Sequence, residues 1–149
     1  TVIPDANYTR IWNALSVYDD TTISKDLKVY GAKSRCVTTE NFGDRLLHAY
    51  ETATPYFGDI GDGITDENGE CYIYLDDVFA ETVECNCEYQ VFLQKYGKGD
   101  IWVEERNPGY FLVKGDKDLK FGWEIKLKQR DYEDIRLNIH ERSLYEKDN

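Results

Sequence analysis

The sequence predicts a mainly β fold, an antiparallel β-sandwich or barrel-like domain preceded by a short N-terminal helix. Three observations predict it. Leu119, Phe121, Trp123, Ile125 and Leu127 alternate with Lys120, Gly122, Glu124, Lys126 and Lys128, the period of a strand with one face in a core. Turn signals recur at short intervals, at Asn68-Gly69, Gly97-Lys98-Gly99 and Asn107-Pro108-Gly109, as antiparallel sheets require. Twelve tyrosines, six phenylalanines and three tryptophans among 149 residues supply bulky side chains that strands favour and disordered chains lack.

The helix comes first. Tyr8, Ile11, Trp12 and Leu15 fall at i, i+3, i+4 and i+7, an apolar stripe at helical spacing, with Asp5 placed to cap it. So short a helix is marginal alone, so its stripe must pack on another surface. Ile23, Leu27 and Val29 then read as a short strand ended by Gly31, followed by strands over Arg35–Val37 and Arg45–Glu51. The Gly/Asp-rich run Phe57–Gly63 reads as a sharp turn, and Asp66-Glu67-Asn68-Gly69 as a hairpin turn in which Asn-Gly supplies positive φ. Cys71–Leu75 is the next strand, and Asp76 caps a single helical turn over Asp77–Thr82. Strands follow over Cys85–Gln94, Ile101–Glu104, Tyr110–Val113 and Leu119–Lys128, with a last alternation at Ile135, Leu137 and Ile139. The polar tail from Glu141 is expected to fray.

Composition excludes several functions. Lys plus Arg is 18 and Asp plus Glu is 29, a formal charge of −11. Nucleic acid and anionic membrane surfaces are poor partners for so acidic a chain. No apolar run approaches the roughly 18 residues of a membrane span, and no signal peptide is visible. The chain contains no Met and begins Thr1-Val2-Ile3-Pro4, which reads as a piece of a longer polypeptide. Cys36, Cys71, Cys85 and Cys87 form no CxxC, and His48 and His140 lack zinc-ligand spacing. The cysteines are therefore expected to be small buried hydrophobes made in a reducing cytoplasm.

No catalytic constellation stands out. Asp59, Asp62, Asp66, Glu67 and Glu70 form an acidic cluster, but EF-hand spacing is missing and the pattern is ordinary turn chemistry. None of Ser16, Ser24, Ser34 and Ser143 sits in a nucleophile elbow, and no glycine loop has phosphate-binding context. No pair among the acids is marked out as a glycosidase pair. Aromatics are more informative. Tyr72, Tyr74, Tyr96, Trp102 and Tyr110 fall on strands or at loops, where Tyr and Trp offer large contact area at low entropic cost to sugar rings and partner proteins.

Several ordered blocks carry a resemblance. They are Gly31-Ala32-Lys33-Ser34-Arg35, Tyr50-Glu51-Thr52-Ala53-Thr54-Pro55, Phe57-Gly58-Asp59-Ile60-Gly61-Asp62-Gly63, Asp66–Cys71, Tyr89–Gly97, Tyr110–Gly115 and Leu119–Lys126. Over residues 23–139 they resemble the C-terminal domain of tail proteins from phages and prophages of Gram-positive bacteria. Phe-Gly-Asp-Ile-Gly and Lys-Phe-Gly-Trp-Glu are the most specific blocks, and residues 22–33 resemble the junction between shaft and domain. The resemblance divides the chain into a helix and shaft-junction segment, 1–30, and a C-terminal β domain, 31–149.

That resemblance implies the distal domain of a tail fibre or receptor-binding protein in the virion tail, assembled in the bacterial cytoplasm. It implies a homotrimer that attaches to a bacterial cell-surface glycan or protein, with no enzyme activity, cofactor or metal. Its alternatives are a trimerisation or folding domain for the shaft and a polysaccharide-degrading tailspike. The residues expected to bind ligand, where exposed aromatics meet turns and acids, are Trp102, Tyr96, Tyr56 and Asp59. Those expected at the oligomer interface are Tyr8, Ile11, Trp12 and Leu15. A trimer triples the negative charge, so neutral glycans or proteins are better targets than strongly anionic wall polymers.

Overall fold

The structure, a computed structural model, describes residues 14–86 and 88–139, and the backbone alone of 2–4 and 9–11. The chain divides into two compact units, Thr1–Tyr50 and Glu51–Asn149, a later division than the one at residue 30 expected from the sequence. Among the described residues no helix is long and apolar enough to cross a membrane.

In the first unit β1 (Val2–Pro4) pairs antiparallel with β2 (Thr9–Ile11). This replaces the expected helix. Val2, Ile3, Thr9 and Ile11 are β-branched and lose side-chain freedom in a helix, and a ladder satisfies backbone groups that a marginal helix would leave frayed. Tyr8 and Trp12 lie outside the described residues. Leu15 stands exposed in a segment without regular structure. The strand expected at Ile23–Val29 does not form: Lys25 breaks the alternation, and among the described residues no strand pairs with it. β3 (Ser34–Thr39) and β4 (Gly43–His48) form a hairpin. Its turn is closed by Gly43 at φ 67° and by the Thr39 hydroxyl, which donates to the Gly43 carbonyl and accepts from the Phe42 N–H. Cys36 on β3 is exposed, not buried as expected: its sheet has only two strands, too few to bury a face by themselves.

The second unit is a sandwich-like pair of antiparallel sheets, β5–β10–β7 and β6–β9–β8. The strands are β5 (Tyr56–Ile64), β6 (Glu70–Tyr74), β7 (Gln90–Lys95), β8 (Ile101–Asn107), β9 (Tyr110–Gly115) and β10 (Lys120–Lys128). The two central strands supply the core. Phe111 and Val113 of β9 meet Phe121, Ile125 and Leu127 of β10, all 1% exposed or less, with Leu75, Val83 and Tyr89 around them. The Phe111 and Trp123 rings pack edge to face at 5.6 Å, a favoured aromatic geometry.

Phe57–Gly63 is no turn but most of β5. In register with β10, Gly61 lies opposite Trp123 and Gly63 opposite Phe121. A Cβ at Gly61 would fall 2.5 Å from the Trp123 ring, and one at Gly63 would enter the Phe121 ring. These glycines mark close approach within a sheet, the second physical meaning of strand glycine. The two most specific blocks of the resemblance are therefore partners across one ladder.

Other elements follow their local chemistry. Asp66 accepts from the Asn68 and Glu70 N–H groups, and the Glu70 bond holds its carboxyl below the usual value. Gly69 (φ 78°) completes the turn that carries the chain from β5 into the other sheet. Asp76 caps α1 (Asp77–Thr82) by accepting from the Phe79 N–H at 3.0 Å. The strand expected from Cys85 begins only at Gln90. Beyond Lys126 that edge of β10 is taken by Val83 and Glu84, whose N–H donates to the Lys128 carbonyl, so Glu88 and Tyr89 have no ladder to join there. Cys71 and Cys85 are half-buried, and burial raises both thiols above their ordinary values. Cys87 lies outside the described residues. The alternation at 135–139 forms no strand either: Tyr132 and Ile135 donate into successive turns, and Asp131 and Leu137 take positive φ.

Two predictions follow from the core. Gly63→Ala costs about 1–3 kcal/mol in urea denaturation through overpacking, more than the gain from a stiffer chain. It costs more than Gly61→Ala, because Phe121 is fully buried whereas Trp123 is half-buried and has room to shift. Tyr89, 3% exposed, donates to the Asn107 and Tyr110 carbonyls, and burial pushes its phenol up to about 12. The unfolded chain ionises this group at its ordinary value near 10, so its contribution is complete below pH 10 and is lost towards pH 12. Tyr89→Phe should lower the melting temperature at pH 8 and lose less than the parent between pH 10 and 12.

Candidate functional site

The strands place one aromatic surface in the open. On the solvent face of β6–β9–β8, Tyr72 lies opposite Leu112 and Tyr74 opposite Tyr110. The Tyr110 ring stands 5.5 Å from that of Tyr72 and 5.8 Å from that of Tyr74, tilted about 50° to each. Leu112 is 5% exposed although it belongs to this outer face, so the surface has an apolar base. Trp102 of β8, opposite Lys114 of β9, extends the face at its other corner.

A β-bulge builds the polar part of the face. The register of β8 on β9 shifts between Val103 and Glu105. A regular ladder would set Glu104 opposite Leu112 and Glu105 opposite the buried Phe111. The inserted residue brings Glu105 opposite Leu112 and so onto the outer face, the re-aiming that bulges accomplish. Both carboxylates then serve aromatic tips. Trp102 Nε1 donates to Glu104 Oε2 at 2.7 Å, and the Tyr110 hydroxyl to Glu105 Oε1 at 2.7 Å. The Glu105 bond raises the Tyr110 phenol above its ordinary value. Lys114 Nζ lies 3.3 Å from Glu70 and 3.7 Å from Glu104, and the bond to Glu70 raises its ammonium above its ordinary value.

Such a surface binds by stacking. Tyr72, Tyr74 and Trp102 are roughly half or more exposed, whereas the polar tips of Trp102 and Tyr110 are held by neighbouring acids. Rings fixed before a ligand arrives lose little entropy when it binds. The carboxylates retain lone pairs for a ligand's hydroxyl groups.

The four residues expected from the sequence to bind ligand are not brought together. Trp102 lies on this face. Tyr96 lies at the end of β7 in the other sheet, its hydroxyl donating to Asp62 at 3.1 Å. Asp59 shares a cross-strand pair with Ile125 on the inward side of β5, and its carboxylate accepts from the Ile60 N–H. Tyr56 opens β5, half-buried, opposite Lys128. The acids of the turn cluster also separate: Asp62 meets Tyr96, Asp66 caps its own turn and Glu70 meets Lys114. Among the described residues no three His, Cys, Asp or Glu side chains form a possible metal-ligand group. Glu104, Glu105 and Lys114 are the residues the sequence did not single out. A run of Glu-Glu-Arg after an alternating Ile101-Trp102-Val103 is the one signal in the sequence that a bulge interrupts the strand.

The chain matches no family model, no curated protein and no solved structure at a significant level.

Proposed function

We propose that this chain is the distal domain of a phage tail fibre or receptor-binding protein, which attaches the virion to a bacterial cell-surface saccharide as part of a homotrimer. The observation that carries this reading is the face of Tyr72, Tyr74, Tyr110 and Trp102, in which Tyr72, Tyr74 and Trp102 are open and the tips of Trp102 and Tyr110 are anchored. The ordered blocks that resemble phage tail proteins support it as well. Neutral saccharides suit the face best, because a chain of charge −11 repels anionic polymers.

One observation favours trimerising the shaft as an accompanying or alternative role. Residues 14–50 bury nothing: only Val37 and Thr39 are half-buried, while Leu15, Leu27, Phe42, Leu46 and Leu47 stand exposed. Apolar surface of that extent marks an interaction site, and closed rotational symmetry is the common way for copies of one chain to cover it.

Binding should be measured on an array of bacterial surface glycans with the 149-residue chain. Retention on a neutral glycan is expected, with Tyr72→Ala and Trp102→Ala each weakening it by about tenfold, the cost of truncating an aromatic anchor. Both side chains are about half exposed, so the variants should melt with the parent. Undiminished binding by both would remove the face from the mechanism, and new reducing ends in the bound glycan would indicate a cleaving tailspike instead. Light scattering tests the assembly: a mass three times 17.4 kDa is expected, and Ile11→Ser with Trp12→Ser should reduce it.

A further inference from the structure

A second concave surface lies on the outer face of the other sheet, a groove of about 650 Å³ over Gly122. The register builds it from two adjacent rows. Asp62, Gly122 and Gln94 form one, and Ile60, Glu124 and Phe92 the next. Tyr96 closes one end. Its hydroxyl reaches over β10 to Asp62 on β5, directly above Gly122, where a Cβ would collide with the phenol oxygen. Glycine at 122 is therefore what allows an aromatic ring to lie across the central strand.

The walls and rim differ in chemistry. Phe92, Tyr96 and Ile60 expose apolar surface, 53%, 60% and 76% respectively. Asp62 and Glu124 bring two carboxylates, and Gln94 an amide. The cations nearby on β10 are Lys126, paired with Glu124 at 3.2 Å, and Lys120 in the row beyond Gly122. Aromatic faces beside carboxylates suit a cation with an apolar skin, which gains from the ring quadrupole and from the charge together. A neutral apolar ligand would leave the acids unused, and an anion would meet them with the same sign.

We propose that this groove binds an organic ammonium group, either quaternary or the primary amine of an alkyl chain. The site is independent of the tyrosine face on the other sheet, so neither stands or falls with the other.

The test is a ¹H–¹⁵N titration of the full chain with three probes: choline, N-acetyl-lysine amide, and 3,3-dimethylbutan-1-ol, the neutral carbon isostere of choline. Saturable shifts at Gly122, Gln94 and Tyr96 are expected for at least one ammonium probe, and which probe gives them separates a quaternary from a lysine-type source. The isostere should bind at least about fivefold more weakly. Gly122→Ala keeps an ordinary strand backbone and meets the hydroxyl end of the exposed Tyr96 side chain, with Asp62 Oδ1 at ordinary contact distance, so it should fold while displacing the ring and weakening binding by about fivefold or more. Asp62→Asn, an exposed change that removes one charge, provides the same test without altering the backbone. Equal binding of the isostere, shifts confined to other surfaces, or unchanged affinity in both variants would overturn the proposal.

Discussion

The structure depends on how closely β5 approaches β10. Two ring systems, Phe121 and Trp123, occupy the inward side of the central strand, and their cross-strand neighbours are Gly63 and Gly61. Because those neighbours have no Cβ, the rings lie across β5 and turn their remaining surface to the core. Phe121 is then fully buried, and Trp123 meets Phe111 of the opposing sheet. A side chain on Gly63 would collide with the fully buried Phe121 ring, and one on Gly61 would push the Trp123 ring aside, so both positions bear on the core between the sheets. Gly122, between them, serves the outer face in the same way for Tyr96.

This arrangement explains what was legible in the sequence. Strand β10 was readable from its alternation alone, because every second residue from Leu119 to Leu127 is large and apolar. β6, β9, the Asn68-Gly69 turn and the Asp76 cap were readable for similarly local reasons: each is decided by its own residues. β5 was not, because glycine and aspartate indicate a turn unless the partner strand is known. The rings that make glycine necessary lie some 60 positions further along the chain. The start of β7 was illegible for a related reason. Cys85 and Tyr89 fit the alternation, yet Val83 and Glu84 already occupy the edge of β10 that a longer β7 would need.

The candidate face shows the same limit. Trp102 and the three tyrosines were visible as strand aromatics, but of these only Trp102 was among the residues expected to bind ligand. Their grouping was not visible, since it depends on β9 standing between β6 and β8. Tyr96 and Asp59 were drawn to the same list by proximity to turns and acids, but a sheet separates residues by face rather than by distance along the chain. The carboxylates that anchor the rings were hidden for the most specific reason, because their placement depends on one extra residue in β8.

That extra residue has a consequence for how the face can change. In an unbroken strand an insertion or deletion exchanges core and solvent positions along the whole remaining length, and selection would remove it. At the Glu104 bulge the exchange has already been absorbed locally. The segment at Ile101–Val103 keeps its phase with the core, and the segment from Glu105 to Asn107 keeps its own. Residue 104 is thus a joint between two independently phased halves of one strand, and substitutions there can vary the polar chemistry of the aromatic face while the core beneath stays constant.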